Sequence, residues 1–83
     1  MATEPALVLY HTSGCHLCEL AEALLMPLAA AAGRPVVLTE IAGDDDLEAR
    51  YGIRIPVLQD AASGREIGWP FDETAVLALI AGG

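Results

Sequence analysis

A short apolar run is followed, after residues 11–14, by a C-x-x-C motif in the stretch ALVLYHTSGCHLC, residues 6–18. The run at 6–10 is typical of a strand buried on both faces, and Thr12-Ser13-Gly14 ends it. Beyond the motif, apolar residues recur at helical spacing at Leu17, Leu20, Ala21, Leu24, Leu25 and Leu28. The pattern predicts a helix from Leu17 to Gly33, kinked at Pro27, so the two cysteines lie where a strand ends and a helix begins.

This position gives the two cysteines different expected roles. Free backbone N–H groups and the positive end of the helix dipole stabilise a thiolate at a helix start, so Cys15 is the expected nucleophile. Cys18 lies on the same helical face one turn deeper, where it can attack a mixed disulfide formed at Cys15. We expect Cys15 to be the more exposed of the two. His16 is the candidate to tune the acidity of the neighbouring thiol, and an exposed, solvated imidazole is the alternative.

Two other interpretations of the cysteine pair stay open. A structural disulfide closing a loop of four residues would stabilise the fold by only about 1.9 kcal/mol in the chain-entropy model. A zinc site built from Cys15, Cys18, His11 and His16 has suitable ligand types. Zinc sites usually pair a C-x-x-C with a distant second ligand pair, however, whereas both histidines here crowd the same turn. We therefore predict no metal at this motif.

The rest of the chain predicts three more strands and two more helices. Strands are expected at residues 35–41, 53–59 and 65–67, the first of them buried. The carboxylates of Asp44, Asp45 and Asp46 can cap a short helix at residues 47–51, and a last helix begins at residues 71–74. The order βαβαββα predicts an α/β fold with a mixed four-stranded sheet and helices on both faces.

Composition excludes several classes of partner. The 83 residues include 12 acidic and only 4 basic side chains, a net charge of −8 that would repel nucleic acid and anionic membrane surfaces. The longest apolar run, at residues 23–32, is about half of the ~18 to 20 residues that a membrane span needs. Because the basic start of a secretory signal is also missing, we expect a cytoplasmic protein.

With these residues placed, the sequence resembles the thioredoxin superfamily, most closely the small bacterial glutaredoxin-like proteins. Residues 7–10 are similar to the glutaredoxin first strand with its tyrosine, and YGIRIPVL at 51–58 is similar to the segment that carries the cis-proline of that fold. The resemblance covers nearly the whole chain and implies a single thioredoxin-like domain over residues 1–83. It implies that Pro56 is cis and faces Cys15, and that the backbone of Ile55 is free to pair with an extended disulfide substrate. An ordinary trans proline on an edge strand is the alternative.

Two positions depart from the glutaredoxin pattern. Thr12 stands where glutaredoxins usually have a lysine that helps to hold a glutathione carboxylate. Trp69 replaces a glycine before the last helix and is a candidate wall of the substrate site, with core packing of Trp69 and Phe71 as the alternative. These departures predict weak activity with glutathione.

The resemblance and the motif together predict a thiol-disulfide oxidoreductase that cycles Cys15 and Cys18 between dithiol and disulfide. It would need no cofactor beyond this disulfide and an external thiol reductant, either glutathione or a thioredoxin-type donor. Its substrates would be protein or small-molecule disulfides, and we expect a monomer. The competing hypotheses are a non-catalytic module of the same fold that carries a metal or an iron-sulfur cluster, and a thiol redox sensor.

Overall fold

Four strands form one mixed sheet in the computed structural model, which describes residues 5–82. The strands are β1 (Leu7–His11), β2 (Val36–Glu40), β3 (Val57–Asp60) and β4 (Glu66–Gly68). Their order is β2-β1-β3-β4, with β1 parallel to β2 and the other two neighbouring pairs antiparallel. The helices are α1 (His16–Ala31), α2 (Asp45–Tyr51) and α3 (Glu73–Ile80). The predicted order βαβαββα and the mixed four-stranded sheet are confirmed.

Side-chain caps explain where the three helices begin. The Cys15 thiol accepts a hydrogen bond from the N–H of Cys18 at the start of α1. Asp44 Oδ1 accepts from Leu47 N–H at 3.0 Å before α2, and Asp72 Oδ1 accepts from Ala75 N–H at 2.9 Å before α3. Such caps satisfy N–H groups that the first turn of a helix leaves without a partner. All three helix starts therefore follow from side chains visible in the sequence.

Helices cover both faces of the sheet, as predicted. The larger core packs α1 and α3 on one face and is formed by Leu7, Leu9, Ala21, Leu25, Ala29, Leu58, Phe71, Val76 and Leu79. The smaller core lies under α2 on the other face and is formed by Ile41, Tyr51 and Val57. Successive side chains of β1 point to opposite faces of the sheet. Leu7 and Leu9 are fully buried in the larger core, whereas Tyr10 packs against the smaller one.

Burial differs from the sequence prediction in two places. The predicted buried strand at 35–41 is the edge strand β2, on which Val37 and Leu38 are 49% and 42% exposed. On α1, Leu17 and Leu20 point to solvent, and the buried stripe is Cys18, Ala21, Leu25 and Ala29. The predicted helix face is wrong for these two leucines only, since Ala21 and Leu25 are buried and Leu24 and Leu28 pack against the core.

The third strand is also shorter than predicted. It begins at Val57 rather than at residue 53, because a hydrogen-bonded turn follows α2. In that turn the N–H groups of Arg54 and Ile55 both donate to the carbonyl of Tyr51, at 2.8 and 3.0 Å. Backbone groups used in this way cannot join the sheet. The turn places Ile55 and Pro56 just before β3.

A buried ion pair ties together the start of β1, the end of β3 and the end of α3. Arg34 Nη2 lies 2.9 Å from Asp60 Oδ1, and both side chains are less than a tenth exposed. The same guanidinium donates to the carbonyls of Pro5 and Ile80.

Within residues 5–82, no helix has both the length and the apolar character needed to cross a membrane.

Candidate active site

The two cysteines lie at the junction of β1 and α1, at the carboxyl end of β1. Cys15 is the N-cap of α1, with extended backbone at φ −94° and ψ 106°, and its carbonyl accepts the helical hydrogen bond from Glu19 N–H. Gly14 precedes it at φ +73°, a backbone region that residues with a side chain rarely adopt. This glycine lets the chain turn from the strand into the helix, so that Cys15 lies at the helix start.

The two thiols differ in exposure as predicted. Cys15 is half-buried, whereas Cys18 is only 3% exposed. The N–H of Cys18 donates to Cys15 Sγ at 3.1 Å, so the first sulfur accepts one of the hydrogen bonds that a helix start offers. Burial, and then the hydrogen bond with Cys15, raise the pKa of the Cys18 thiol to about 11. The arrangement is a partly accessible sulfur at the helix start with a buried, protonated thiol one turn deeper.

The segment before β3 comes to the same end of the sheet. Val57 lies opposite Tyr10 in the β1–β3 register, so Pro56 lies beside the loop that follows β1. The peptide bond between Ile55 and Pro56 is cis, as the resemblance implied, and Pro56 is buried. The expectation for the Ile55 backbone is wrong for its N–H group, which donates to Tyr51. Only the carbonyl of Ile55 remains a candidate to pair with a substrate.

A cleft of about 310 Å³ joins this segment to the loop before Cys15. Its lining residues are Thr12, Ile41, Ala42, Glu48, Gly52 and Ile55. Thr12 occupies the position where glutaredoxins usually have a lysine, and a carboxylate, Glu48, lines the same cleft. The charge available to an anionic ligand is therefore unfavourable on this side of the site.

Trp69 packs against Phe71 and the larger core. The two rings meet edge to face, with centroids 5.1 Å apart, and Phe71 is buried. An open cavity of about 550 Å³ lies beside the start of α3, lined by Ile67, Gly68, Pro70, Phe71, Asp72 and Ala75. Phe71 is in core packing, as the alternative proposed, and Trp69 is not part of the lining of this cavity. Its part in substrate binding stays a prediction.

The two histidines lie on either side of the loop that leads to Cys15. His16 is the first residue of α1 and is exposed, and His11 ends β1 and is half-buried. Among residues 5–82, no three histidine, cysteine, aspartate or glutamate side chains come together as a group that could hold a metal ion. The four zinc ligands considered from the sequence are thus not assembled into one site.

Glu40, the last residue of β2, is a site residue that was not predicted from the sequence. Its Oε1 accepts hydrogen bonds from the N–H and the hydroxyl of Ser13, at 3.0 and 2.9 Å, and its Oε2 accepts from Ala42 N–H at 3.1 Å. Glu40 pairs with His11 in the parallel register of β1 and β2. The carboxyl ends of parallel neighbouring strands meet at one edge of a sheet, so this register was the signal that could have placed Glu40 at the site.

A second missed feature is an aromatic and polar network beneath the site. Tyr10 stacks on Tyr51 with ring centroids 4.2 Å apart, and Tyr10 Oη donates to Gln59. The hydroxyl of Tyr51 and the amide of Gln59 both donate to Glu66, which also pairs with Arg54 at 3.5 Å. Burial and the bond to Glu66 raise the pKa of Tyr51 to about 12. This network joins the end of β1 to the segment that carries Pro56.

Comparison with known proteins agrees with this geometry. Residues 6–81 match the model of the Glutaredoxin-like domain (DUF836). The crystal structure of the structural-genomics target protein XcR50 from X. campestris is 40% identical, with a TM-score of 0.79 over 94% of this chain and 99% of that one. The solution structure of protein Ne2328 from Nitrosomonas europaea is 29% identical, with a TM-score of 0.78 over 94% and 93% of the two chains. No curated protein matches the sequence.

The family match spans all the described helices and strands, and the site lies where the strand-to-helix junction and the segment before β3 meet. The similarity to solved structures extends over nearly the full length of each chain. The chain therefore belongs to the glutaredoxin-like domain family and has the thioredoxin-like fold.

Proposed function

We propose that the protein is a thiol-disulfide oxidoreductase in which Cys15 attacks a substrate disulfide and Cys18 resolves the product. The observation that carries this proposal is the asymmetry of the pair, a half-buried sulfur at the start of α1 and a buried thiol one turn deeper. A structural cysteine pair has no need of an accessible, hydrogen-bonded sulfur at a helix start. A disulfide exchange reaction needs an accessible sulfur for the first attack and a second thiol close enough to release the product.

The first step forms a mixed disulfide. The thiolate of Cys15 attacks one sulfur of the substrate disulfide, the substrate S–S bond breaks, and the departing sulfur takes a proton from solvent. The carbonyl of Ile55 is the proposed acceptor for a backbone N–H of an extended substrate, because the N–H of Ile55 is already used within the turn. The hydrogen bond from Cys18 N–H stabilises negative charge on Cys15 Sγ before attack.

The second step releases the substrate. Cys18 loses its proton and attacks Cys15 Sγ, so the mixed disulfide breaks, the second substrate thiol leaves, and a Cys15–Cys18 disulfide forms. The pair has then given up two electrons, and an external thiol donor must reduce it again. A reducing compartment, such as the cytoplasm proposed from the sequence, would supply this donor and keep the pair reduced between turnovers.

The test compares wild type with Cys15→Ser and Cys18→Ser in reduction of a small-molecule disulfide, with either glutathione or a thioredoxin-type system as the donor. We expect turnover by wild type, none by Cys15→Ser, and accumulation of a covalent mixed disulfide on Cys18→Ser, seen by mass spectrometry. Turnover that Cys15→Ser leaves unchanged, or no exchange at all, would contradict the proposal. Stoichiometric metal bound to the reduced protein would support the non-catalytic module instead.

A further inference from the structure

The loop that delivers Cys15 to the helix start is anchored by one carboxylate. Both donors of Ser13, its N–H and its hydroxyl, bind Glu40 Oε1, and Ser13 lies two residues before Cys15. The second oxygen of Glu40 accepts from Ala42 N–H, which fixes the carboxylate on its own strand end. Glu40 thus joins the edge strand β2 to the loop of residues 12–14.

The ladder between β1 and β2 ends where this contact begins. His11 pairs with Glu40 as the last residues in register, and Ile41 N–H donates to the carbonyl of His11 at 3.0 Å. Beyond His11 the chain leaves the sheet and turns through Gly14 at positive φ. The bonds from Ser13 to Glu40 hold this turn against the sheet, two residues before Cys15.

The charge of Glu40 is fixed through the pH range of thiol chemistry. The hydrogen bond from Ala42 N–H, followed by those from Thr12 and Ser13, lowers the pKa of Glu40 to about 2. The charged or titratable groups that act on Cys18 are Cys15, on its own helix, and Glu40, from β2, and both favour the protonated thiol. Burial and the contact with Cys15 are the larger causes of the raised pKa of Cys18, and the charge of Glu40 adds the smallest share.

We propose that Glu40 is a positioning residue of the dithiol site, which anchors the loop of residues 12–14 so that Cys15 can attack. This inference rests on the proposed function for its catalytic meaning. Its geometry stands on contacts to Ser13 and Ala42 that involve neither cysteine.

The variants Glu40→Gln and Glu40→Ala separate the two effects. Glutamine keeps an oxygen for Ser13 and removes the charge, whereas alanine removes both. Asp46→Asn is the matched control, because it removes a carboxylate that is also exposed and that belongs to α2 rather than to β2 or the loop. Ser13→Ala is a second probe, since it deletes one of the two loop donors and leaves the charge in place.

Two quantities are measured on each variant. The first is the single-turnover rate at which Cys15 forms a mixed disulfide with a small-molecule disulfide, and the second is the pH profile of Cys18 alkylation, followed by peptide mapping. We expect Glu40→Ala to slow the attack by roughly tenfold or more, since a displacement of about 1 Å can cost about a hundredfold in rate. Glu40→Gln should slow it less. Both variants should move the alkylation midpoint of Cys18 to lower pH, while Asp46→Asn moves neither quantity.

The outcomes are distinguishable from failure of the proposed function. Alkylation needs no disulfide substrate, so a shifted Cys18 profile without any turnover in wild type would contradict the oxidoreductase and retain the charge effect of Glu40. Glu40 variants that match Asp46→Asn in both measurements would overturn the inference. If Glu40→Ala does not fold, as judged by circular dichroism, Glu40→Gln and Ser13→Ala decide. An attack rate in both variants equal to that of Asp46→Asn overturns the inference.

Discussion

At the scale of single residues, the two cysteines differ because of one turn of helix. Cys15 precedes the first turn and keeps part of its surface, while Cys18 turns into the protein and is buried. Burial of a thiol penalises the charged form, and the neighbouring sulfur adds to this effect. The same spacing that lets the second sulfur reach the first therefore also keeps the second one protonated.

The raised pKa of Cys18, about 11 against an ordinary 9.0, predicts a loss of stability in alkali. An acid whose pKa is higher in the folded state favours folding below its unfolded pKa, and this contribution is lost as pH rises through the folded value. We expect the urea midpoint of the reduced protein to fall between about pH 9 and 11, and the fall to be smaller in Cys18→Ala. The measurement is urea unfolding in buffers across this range. An identical pH dependence in Cys18→Ala would contradict the assignment to this thiol.

Thr12 predicts weak use of glutathione. Thr12 and Glu48 line one cleft, so the place where the resemblance implies a cation for the glutathione carboxylate has a carboxylate nearby instead. One missing charge-assisted hydrogen bond corresponds to about 1.5–3 kcal/mol, roughly ten- to a hundredfold in affinity. We expect lower turnover in a glutathione-coupled assay than for a dithiol glutaredoxin, and an increase in Thr12→Lys.

The control for Thr12→Lys is Ala62→Lys, which adds the same charge at an exposed turn after β3, at the other end of the sheet. A thioredoxin-reductase-coupled assay run in parallel separates a change in donor preference from a change in the dithiol. Turnover of wild type with glutathione equal to that of a dithiol glutaredoxin would show that Thr12 is not limiting. The part of Trp69 in glutathione binding stays a separate prediction, since its edge-to-face contact with Phe71 does not test it.

At the scale of elements, the end of α2 sets the position of the segment that meets the dithiol. Gly52 caps the helix, its N–H donates to the carbonyl of Glu48 at 2.9 Å, and the turn through Ile55 follows directly. A Cβ on Gly52 would lie 2.5 Å from that carbonyl oxygen, closer than real Cβ contacts allow. The glycine is thus required by close approach of the backbone rather than by its φ angle.

Gly52→Ala should therefore destabilise the protein by about 1–3 kcal/mol, the range for overpacking, because the backbone of Glu48 has to move. The matched control is Gly68→Ala, since a Cβ there meets nothing within 4 Å. Urea unfolding measures the loss, and hydrogen exchange of the Arg54 and Ile55 amides shows whether the turn after α2 opens. Equal stability of the two variants would contradict the steric argument.

The sequence was sufficient for the element order and for the helix starts, because caps such as Asp44 and Asp72 are local signals. It was insufficient for burial. An apolar run such as that of β2 does not tell whether a strand has one neighbour or two, since that depends on the order of strands in the sheet. Glu40 was missed for the same reason: its place beside Ser13 is a property of the parallel register, not of its neighbours in the chain.

At the scale of the whole molecule, chemistry and anchoring occupy opposite ends of the sheet. Val57 of β3 lies opposite Tyr10, near the dithiol, whereas Asp60 lies opposite Leu7 at the other end. Burial disfavours the charge of Asp60, but the hydrogen bond from Ala62 N–H and the pairing with Arg34 outweigh it and lower the pKa of Asp60 below its usual range. The pair therefore holds the strand ends and the end of α3 without touching the site.

Removal of one partner from a buried ion pair typically costs about 3–5 kcal/mol, because the other charge is left without compensation. We expect Arg34→Met to lose stability on this scale, a large share of the ~5–15 kcal/mol of a whole domain. Where it still folds, the alkylation rate of Cys15 should match wild type. Arg65→Met, at an exposed arginine, should stay within about 0.5 kcal/mol of wild type. Equal urea midpoints for the two variants would contradict this account.

The exposed edge of β2 has a consequence for how molecules of this protein associate in solution. Within the described sheet, β2 pairs with β1 on one side only, and it presents Val37 and Leu38 to solvent beside open backbone groups. Such an edge is a template for strand pairing between molecules. At neutral pH the net charge of −8 keeps molecules apart, but this repulsion vanishes near the isoelectric point of about 4.3. Mildly acidic, concentrated solutions are therefore where edge-to-edge association should begin.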